Sequence, residues 1–282
     1  MAETTEARLP AWTVIEPESG LSLQWLRDVW AHRELLGFFA WRDVSVRYKQ
    51  SLLGVLWALL TPLITVAIFT LIFGHVAGID TGGVPYPVFC YVGLLPWLFF
   101  AQSVQRATGS MVSERNLLTK VYFPRLILPI GATLAPLVDL AIASSMFAAM
   151  MAWCRLIPNT HAIYLVPLCL AWAWFVAVGV GALLSALNVY FRDVGQMIPF
   201  LIQVWMYASP VVYPVILVPE PLRWIHSLNP LVGIIVWLRF ALISRPVPPG
   251  VSTWGSLTVS LALVVVGIVC FARMERSFAD VV

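Results

Sequence analysis

The chain has 282 residues, of which 60% are apolar and only 11% charged, against about 25% charged residues in an ordinary soluble domain. That balance excludes a soluble globular domain and points to an all-α protein that crosses a membrane several times. A formal net charge of +3 is too small to argue for nucleic acid, so the cations carry meaning through their positions.

Residues 1–20 contain Glu3, Glu6, Glu16 and Glu18 and no apolar run of signal-peptide type. They read as a flexible cytoplasmic N-terminus without a cleaved leader. Residues 21–50 form a lead-in to the membrane. Across 21–39, Leu23, Leu26, Val29 and Trp30 make an apolar stripe interrupted by Arg27, Asp28, His32, Arg33 and Glu34. An amphipathic helix lying in the inner interface fits this pattern, with a helix packed on the bundle as the alternative. The lead-in closes with Trp41-Arg42-Asp43 and Arg47-Tyr48-Lys49-Gln50-Ser51.

Residues 51–282 hold six stretches long enough to cross ~30 Å of hydrocarbon as helices of about 20 residues. They are 52–74, 88–112, 126–153, 162–190, 196–217 and 255–272. An even number puts both termini on one side. A cytoplasmic N-terminus leaves only Arg155, Arg223, Arg239 and Arg245 outside, with the other thirteen Lys and Arg residues at or near the inner face. This follows the positive-inside rule.

Span 1 carries Trp57, Thr61, Thr65, Phe69 and Phe73 in steps of four, a row that drifts around the helix. The loop from Ser113 to Arg125 mixes charge with Leu117, Leu118, Tyr122 and Phe123 around a short helix ending before Pro124. It reads as a docking knob; a solvated connection explains its cations but not those four side chains. Asp139 is the one carboxylate deep inside a span. Proton coupling is one reading of it and a hydrogen-bonded structural aspartate the other.

In span 5, Gln196, Phe200, Gln203 and Tyr207 follow at steps of four, three and four and share one helical face. Amides in lipid are expensive unless they bond neighbouring helices or face water. The stripe is therefore either interhelical glue or a pore wall, in which amides bind hydroxyls and aromatic rings cover sugar faces. Eight of the twenty prolines, Pro210, Pro214, Pro219, Pro221, Pro230, Pro246, Pro248 and Pro249, follow. They break any continuous helix, and the apolar run 231–244 is too short to cross. A re-entrant or interfacial hairpin over about 210–250, acting as an outer gate or as a structural lid, is the expected solution.

Cys90, Cys154, Cys169 and Cys270 stand singly without metal-ligand spacing, so core packing is expected, a Cys90–Cys154 disulfide being the exception. No hydrolase or metalloprotease pattern is present. The two lysines, Lys49 and Lys120, do not follow glycine. The chain therefore has no Walker A loop, and any ATP that drives it binds another subunit.

These features together resemble the membrane permeases of type-2 ABC exporters of lipid-linked polysaccharides, the O-antigen, capsule and teichoic-acid systems. The resemblance runs from about residue 35 to the end. It rests on Arg42-Asp43 and Arg47 to Ser51, Leu53-Gly54, Trp57 and Pro62, then Gly93-Leu94, Pro96-Trp97 and Phe99-Phe100. Asn116-Leu117, Lys120, Phe123-Pro124, Asn188, Arg192-Asp193, Ser209-Pro210, Tyr213-Pro214 and Asn229-Pro230 complete it. The resemblance implies a bacterial inner-membrane homodimer, both termini cytoplasmic, above a dimer of ATP-binding subunits that hold ATP and Mg; the chain itself would carry no cofactor.

It further implies an interface helix near the N-terminus and a coupling helix at Glu114, Arg115, Asn116, Leu117 and Lys120. A periplasmic gate would fall at Pro210, Tyr213, Pro214, Asn229 and Pro230. The channel would be lined by aromatic belts, which suits Gln196, Phe200, Gln203 and Tyr207, with Trp57, Thr61, Phe69 and Phe73. The alternatives are a type-2 exporter of a drug or small lipid, with a smaller apolar cavity, and a proton-coupled secondary transporter using Asp139. The second would need intramembrane ionisable pairs and usually an internal repeat, neither of which the sequence shows.

Overall fold

The computed structural model describes residues 23–49, 54–118, 120–121, 123–247, 253–275 and 278. Segment 1–20 and Gln50, Ser51, Leu53, Tyr122, Pro248 and Pro249 lie outside the described residues. The described residues contain helices and no strands. The lead-in is two helices, α1 (Leu23–Ala31) and α2 (Arg33–Lys49). Val29 is buried, whereas Trp30, Phe38 and Trp41 are exposed.

Five helical stretches are long and apolar enough to cross a membrane. The first is α3 (Gly54–Phe69), continued by a π-helical stretch, Thr70–Val76. The second is α4 (Tyr86–Ser113); a short α5 (Arg115–Leu118) follows it. The third is α6 (Ile127–Leu134) with α7 (Pro136–Trp153). Pro136 divides that pair because it lacks the N–H that would continue the helix. The fourth and fifth are α8 (Ala162–Tyr190) and α12 (Thr253–Met274).

The stretch expected as a span over 196–217 behaves differently. Its helix, α9 (Asp193–Tyr207), has 15 residues, about 22 Å at 1.5 Å per residue. Pro210 and Pro214 supply no N–H and push the residues before them toward extended backbone. The chain accordingly leaves the helix at Ala208 and runs irregularly to a 3₁₀ turn, Val215–Leu217. Then come α10 (Glu220–His226) and α11 (Pro230–Ile243), bent by 104° at their junction.

Helix α4 is the hub, apolar around its circumference and buried from Val88 to Trp97, as a helix with no polar face must be. It packs against α8, α6, α7, α11 and α3. Helix α8 also meets α12 so closely that a Cβ built on Gly267 would lie 2.0 Å from the Gly179 carbonyl oxygen; small residues here permit backbone contact. At one end of the bundle, Val29, Phe39, Met111, Phe123, Leu126, Phe271 and Phe278 share a cluster. The first and last described segments therefore lie at the same end as the α4–α6 connection. At the other end, Val215 packs with Val232 and Val236.

Candidate functional site

Three polar assemblies stand out from the apolar bundle. The first ties the lead-in to the third span. Arg47 donates from Nη1 to the Asp139 Oδ2 and also to Gln102 Oε1 at 3.2 Å, while the Tyr48 hydroxyl donates to Asp139 Oδ1. Both oxygens of the buried carboxylate are engaged by donors from the lead-in. Burial first, then the bond to Asp139, push the Tyr48 phenol up to about 12, and it stays protonated as a donor. Trp57 and Thr61 border the same small cavity as Arg47 and Asp139.

One helical turn earlier, Arg42 bonds Glu114 at 2.6 Å and Asp43 at 3.0 Å. Its guanidinium also lies 5.1 Å from the centre of the Phe39 ring, which in turn meets Phe123 at 6.2 Å. Helix α2 is thus latched to the loop expected to couple to an ATPase. Within that loop Arg115, Asn116 and Lys120 are exposed, whereas Leu117 is half-buried against the end cluster. The five expected coupling residues divide accordingly: Glu114 and Leu117 fasten the loop, and the other three face outward.

The second assembly is the outer face of α9. Gln196, Phe200, Gln203 and Tyr207 are all exposed, Phe200 by 67% and Tyr207 by 53%, while Ile198 and Ile202 are buried on the opposite side. The spacing puts amide and aromatic groups alternately along a face that no described part of this chain covers. The row in α3 is split instead. Trp57 and Thr61 are exposed, whereas Phe69 and Phe73 are half-buried and pack edge to face at 5.9 Å. The drift of a four-residue step around a 3.6-residue helix accounts for this.

The third assembly holds the irregular chain after α9. Asn229 Oδ1 accepts from Leu231 N at 3.1 Å, capping α11, and from Trp205 Nε1 at 3.1 Å. Its Nδ2 donates to Ser209 Oγ at 2.9 Å and to the Ala208 carbonyl at 3.2 Å. Tyr213 donates to the Tyr207 carbonyl at 3.2 Å, and Pro210 and Pro230 are buried. Ser256 of α12 holds the corner by donating to the Ser227 carbonyl at 2.5 Å.

Arg239 was the residue least visible in the sequence. It is buried in α11, donates to the carbonyls of Val211 at 2.8 Å and Tyr213 at 3.3 Å, and stacks 3.6 Å from the centre of the Phe89 ring. The signal was available, because an arginine inside the apolar run 231–244 must find acceptors for the same reason that Asp139 must find donors. Gly93 makes room for this contact: a Cβ there would lie 2.8 Å from the Val211 oxygen and 3.0 Å from Arg239 Nη2. The four cysteines are free. Among the described residues no group of three or more His, Cys, Asp or Glu side chains could hold a metal.

Residues 34–243 match the family described as ABC-2 type transporter. The O-antigen export system permease protein RfbA of Myxococcus xanthus is 28% identical over 258 residues, 90% of this chain and 98% of that protein. The protein of the same name from Klebsiella pneumoniae is 26% identical over 252 residues, 88% and 95% of the two chains. The polysialic acid transport protein KpsM of Escherichia coli is 24% identical over 244 residues, 84% of this chain and 92% of its own.

Proposed function

The chain belongs to the ABC-2 type transporter family, and on that premise we propose that it is the membrane-spanning permease of an ATP-driven exporter of lipid-linked polysaccharide in a bacterial inner membrane. Two copies would form the path and a pair of separate subunits would hydrolyse ATP. The observation that carries the reading is the uncovered α9 face with Gln196, Phe200, Gln203 and Tyr207. Amides that bond hydroxyls and rings that stack on sugar faces are each weak and repeated, which suits a polymer that must slide. The names of the relatives, export permeases for O-antigen and polysialic acid, support the same substrate class.

The arginines of α2 and the α4–α6 loop favour that end of the bundle as cytoplasmic. Exposed Trp30 and Trp41 at that end, and Trp153 and Trp254 at the other, suit the two membrane interfaces. In this orientation α1 and α2 serve as an interface helix, α5 as the coupling helix, and the bent α10–α11 pair as a re-entrant outer gate. ATP binding would close the nucleotide-binding subunits, and the Arg42–Glu114 latch would carry that motion from α5 into α2. Purification of the tagged chain from its native membrane tests the partnership: a P-loop ATPase should accompany it in near-equal amount, and recovery of the chain alone from several mild detergents would contradict the reading.

A further inference from the structure

Between α2 and α4, at the end assigned above to the cytoplasm, lies a cleft of about 520 Å³. Arg42, Arg47 and Arg106 line it, against the two carboxylates of Asp43 and Glu114. The three cations are unequally satisfied. Arg42 is held by Glu114 and Asp43, and Arg47 by Asp139 and Gln102. Arg106, which is half-buried in the second span, has no hydrogen bond or ion pair among the described residues. Arg47, of the same charge, lines the same cleft. A guanidinium held partly out of water and facing another cation calls for an anion.

The space beside it is free. A Cβ added to Gly109, three residues further along the same helix, would meet nothing within 4 Å. Part of the lining is apolar, supplied by Phe39, Val46, Leu128 and Ala132, of which Val46 is exposed. One uncompensated guanidinium beside apolar side chains in an open cleft has the chemistry of a site for an anionic lipid, whose phosphate meets the cation while its hydrocarbon lies along the apolar wall. Guanidinium also matches phosphate in a two-pronged geometry that lysine cannot reproduce.

We infer that this cleft binds the phosphate group of a lipid, with Arg106 as its principal ligand. The role of the site in loading an export substrate rests on the proposed function, but its binding chemistry does not. The phosphate could belong to the carrier of the glycan or to an ordinary membrane phospholipid, and the two are separable by experiment.

The test uses the chain with its ATP-binding subunit in maltoside micelles, which contain no phosphate, without nucleotide. Binding of farnesyl phosphate, a short-chain phosphatidylglycerol and inorganic phosphate is titrated separately. Farnesyl phosphate should bind the native protein, and Arg106→Gln should weaken it about tenfold or more, the scale of one lost charge-assisted contact. Gly109→Leu, which narrows the cleft while leaving the charge of Arg106 in place, should weaken it comparably, and exposed Arg192→Gln should leave it unchanged. Equal affinity of the native protein and both cleft variants would overturn the inference, as would inorganic phosphate binding as tightly as the lipid. Phosphatidylglycerol binding as well as farnesyl phosphate, with the same dependence on Arg106, would support the site and assign it to bulk lipid. Because nothing in this measurement requires ATP or a glycan, a complex that binds the lipid yet moves no polysaccharide would count against the export reading alone.

Discussion

Arg47 and Asp139 stand 92 positions apart in the chain and meet as an ion pair that fastens α2 to the third span. The Asp139 side chain is 8% exposed and that of Arg47 31%, so removing either charge strands the other in a poorly hydrated place. Breaking a fully buried pair costs about 3–5 kcal/mol, and the partial exposure of Arg47 reduces this to about 1–3 kcal/mol. Arg47→Gln and Asp139→Ala should therefore each lower the thermal unfolding midpoint in detergent. The double variant should lose less than the sum, as coupled partners do. If Asp139 carried protons instead, its replacement would leave stability unchanged and abolish a proton flux.

The Tyr48 hydroxyl contributes to the same clamp with a definite pH dependence. Its pKa rises in the folded chain, from 10.0 to about 12, so the protonated form is the stabilised one. Its contribution is complete below about pH 10 and is lost as pH climbs toward 12. The difference in unfolding midpoint between the native chain and Tyr48→Phe should accordingly be constant from pH 6 to 9 and shrink above pH 10. A difference that changes between pH 6 and 9 would contradict this assignment.

The Arg42–Glu114 bond is half-exposed in its cleft, and solvent-screened pairs of this kind contribute about 0–1 kcal/mol. Stability should hardly respond to Glu114→Gln. What should respond is the number of ATP molecules hydrolysed per glycan exported, which should rise when the latch is cut and recover when the charges are exchanged in Arg42→Glu/Glu114→Arg. Unchanged coupling in Glu114→Gln would remove the latch from the mechanism.

At the other end, Gly93→Ala places a methyl against the Val211 carbonyl and the Arg239 guanidinium. Backbone cannot yield as a flexible side chain does, so the substitution should cost about 1–3 kcal/mol as overpacking. Limited proteolysis should show the segment from Val211 to Tyr213 cut faster than in the native chain. Wild-type protection of that segment in Gly93→Ala would show that Arg239 does not depend on the close approach.

Much of this architecture was legible because long apolar runs leave a chain few choices in lipid. The spans now seen as α3, α4, α6–α7, α8 and α12 were visible from length and hydropathy, and the α9 stripe from its spacing alone. The end of α9 was not, because apolar residues continue through Val211 and Val212 and only Pro210 and Pro214 indicate that the helix stops. Long-range polar pairs were invisible for a different reason. Asp139 announced the need for a donor, but nothing local says that the donor lies before the first span in Arg47 and Tyr48. Arg239 falls on the outer side with the loop cations, and only its position inside the apolar run 231–244 marks it as buried.

ATP-dependent glycan transport by the chain and its ATP-binding subunit, reconstituted in proteoliposomes, tests the proposed channel most directly when native protein is compared with Gln203→Leu and Tyr207→Ala. Both side chains are exposed among the described residues, so the variants should assemble and hydrolyse ATP normally. Transport should fall about tenfold, corresponding to about 1.4 kcal/mol of lost stabilisation along the path. Full-rate transport by both variants, or no ATP-dependent transport by the native complex, would contradict the assignment of the α9 face as the wall of a polysaccharide channel.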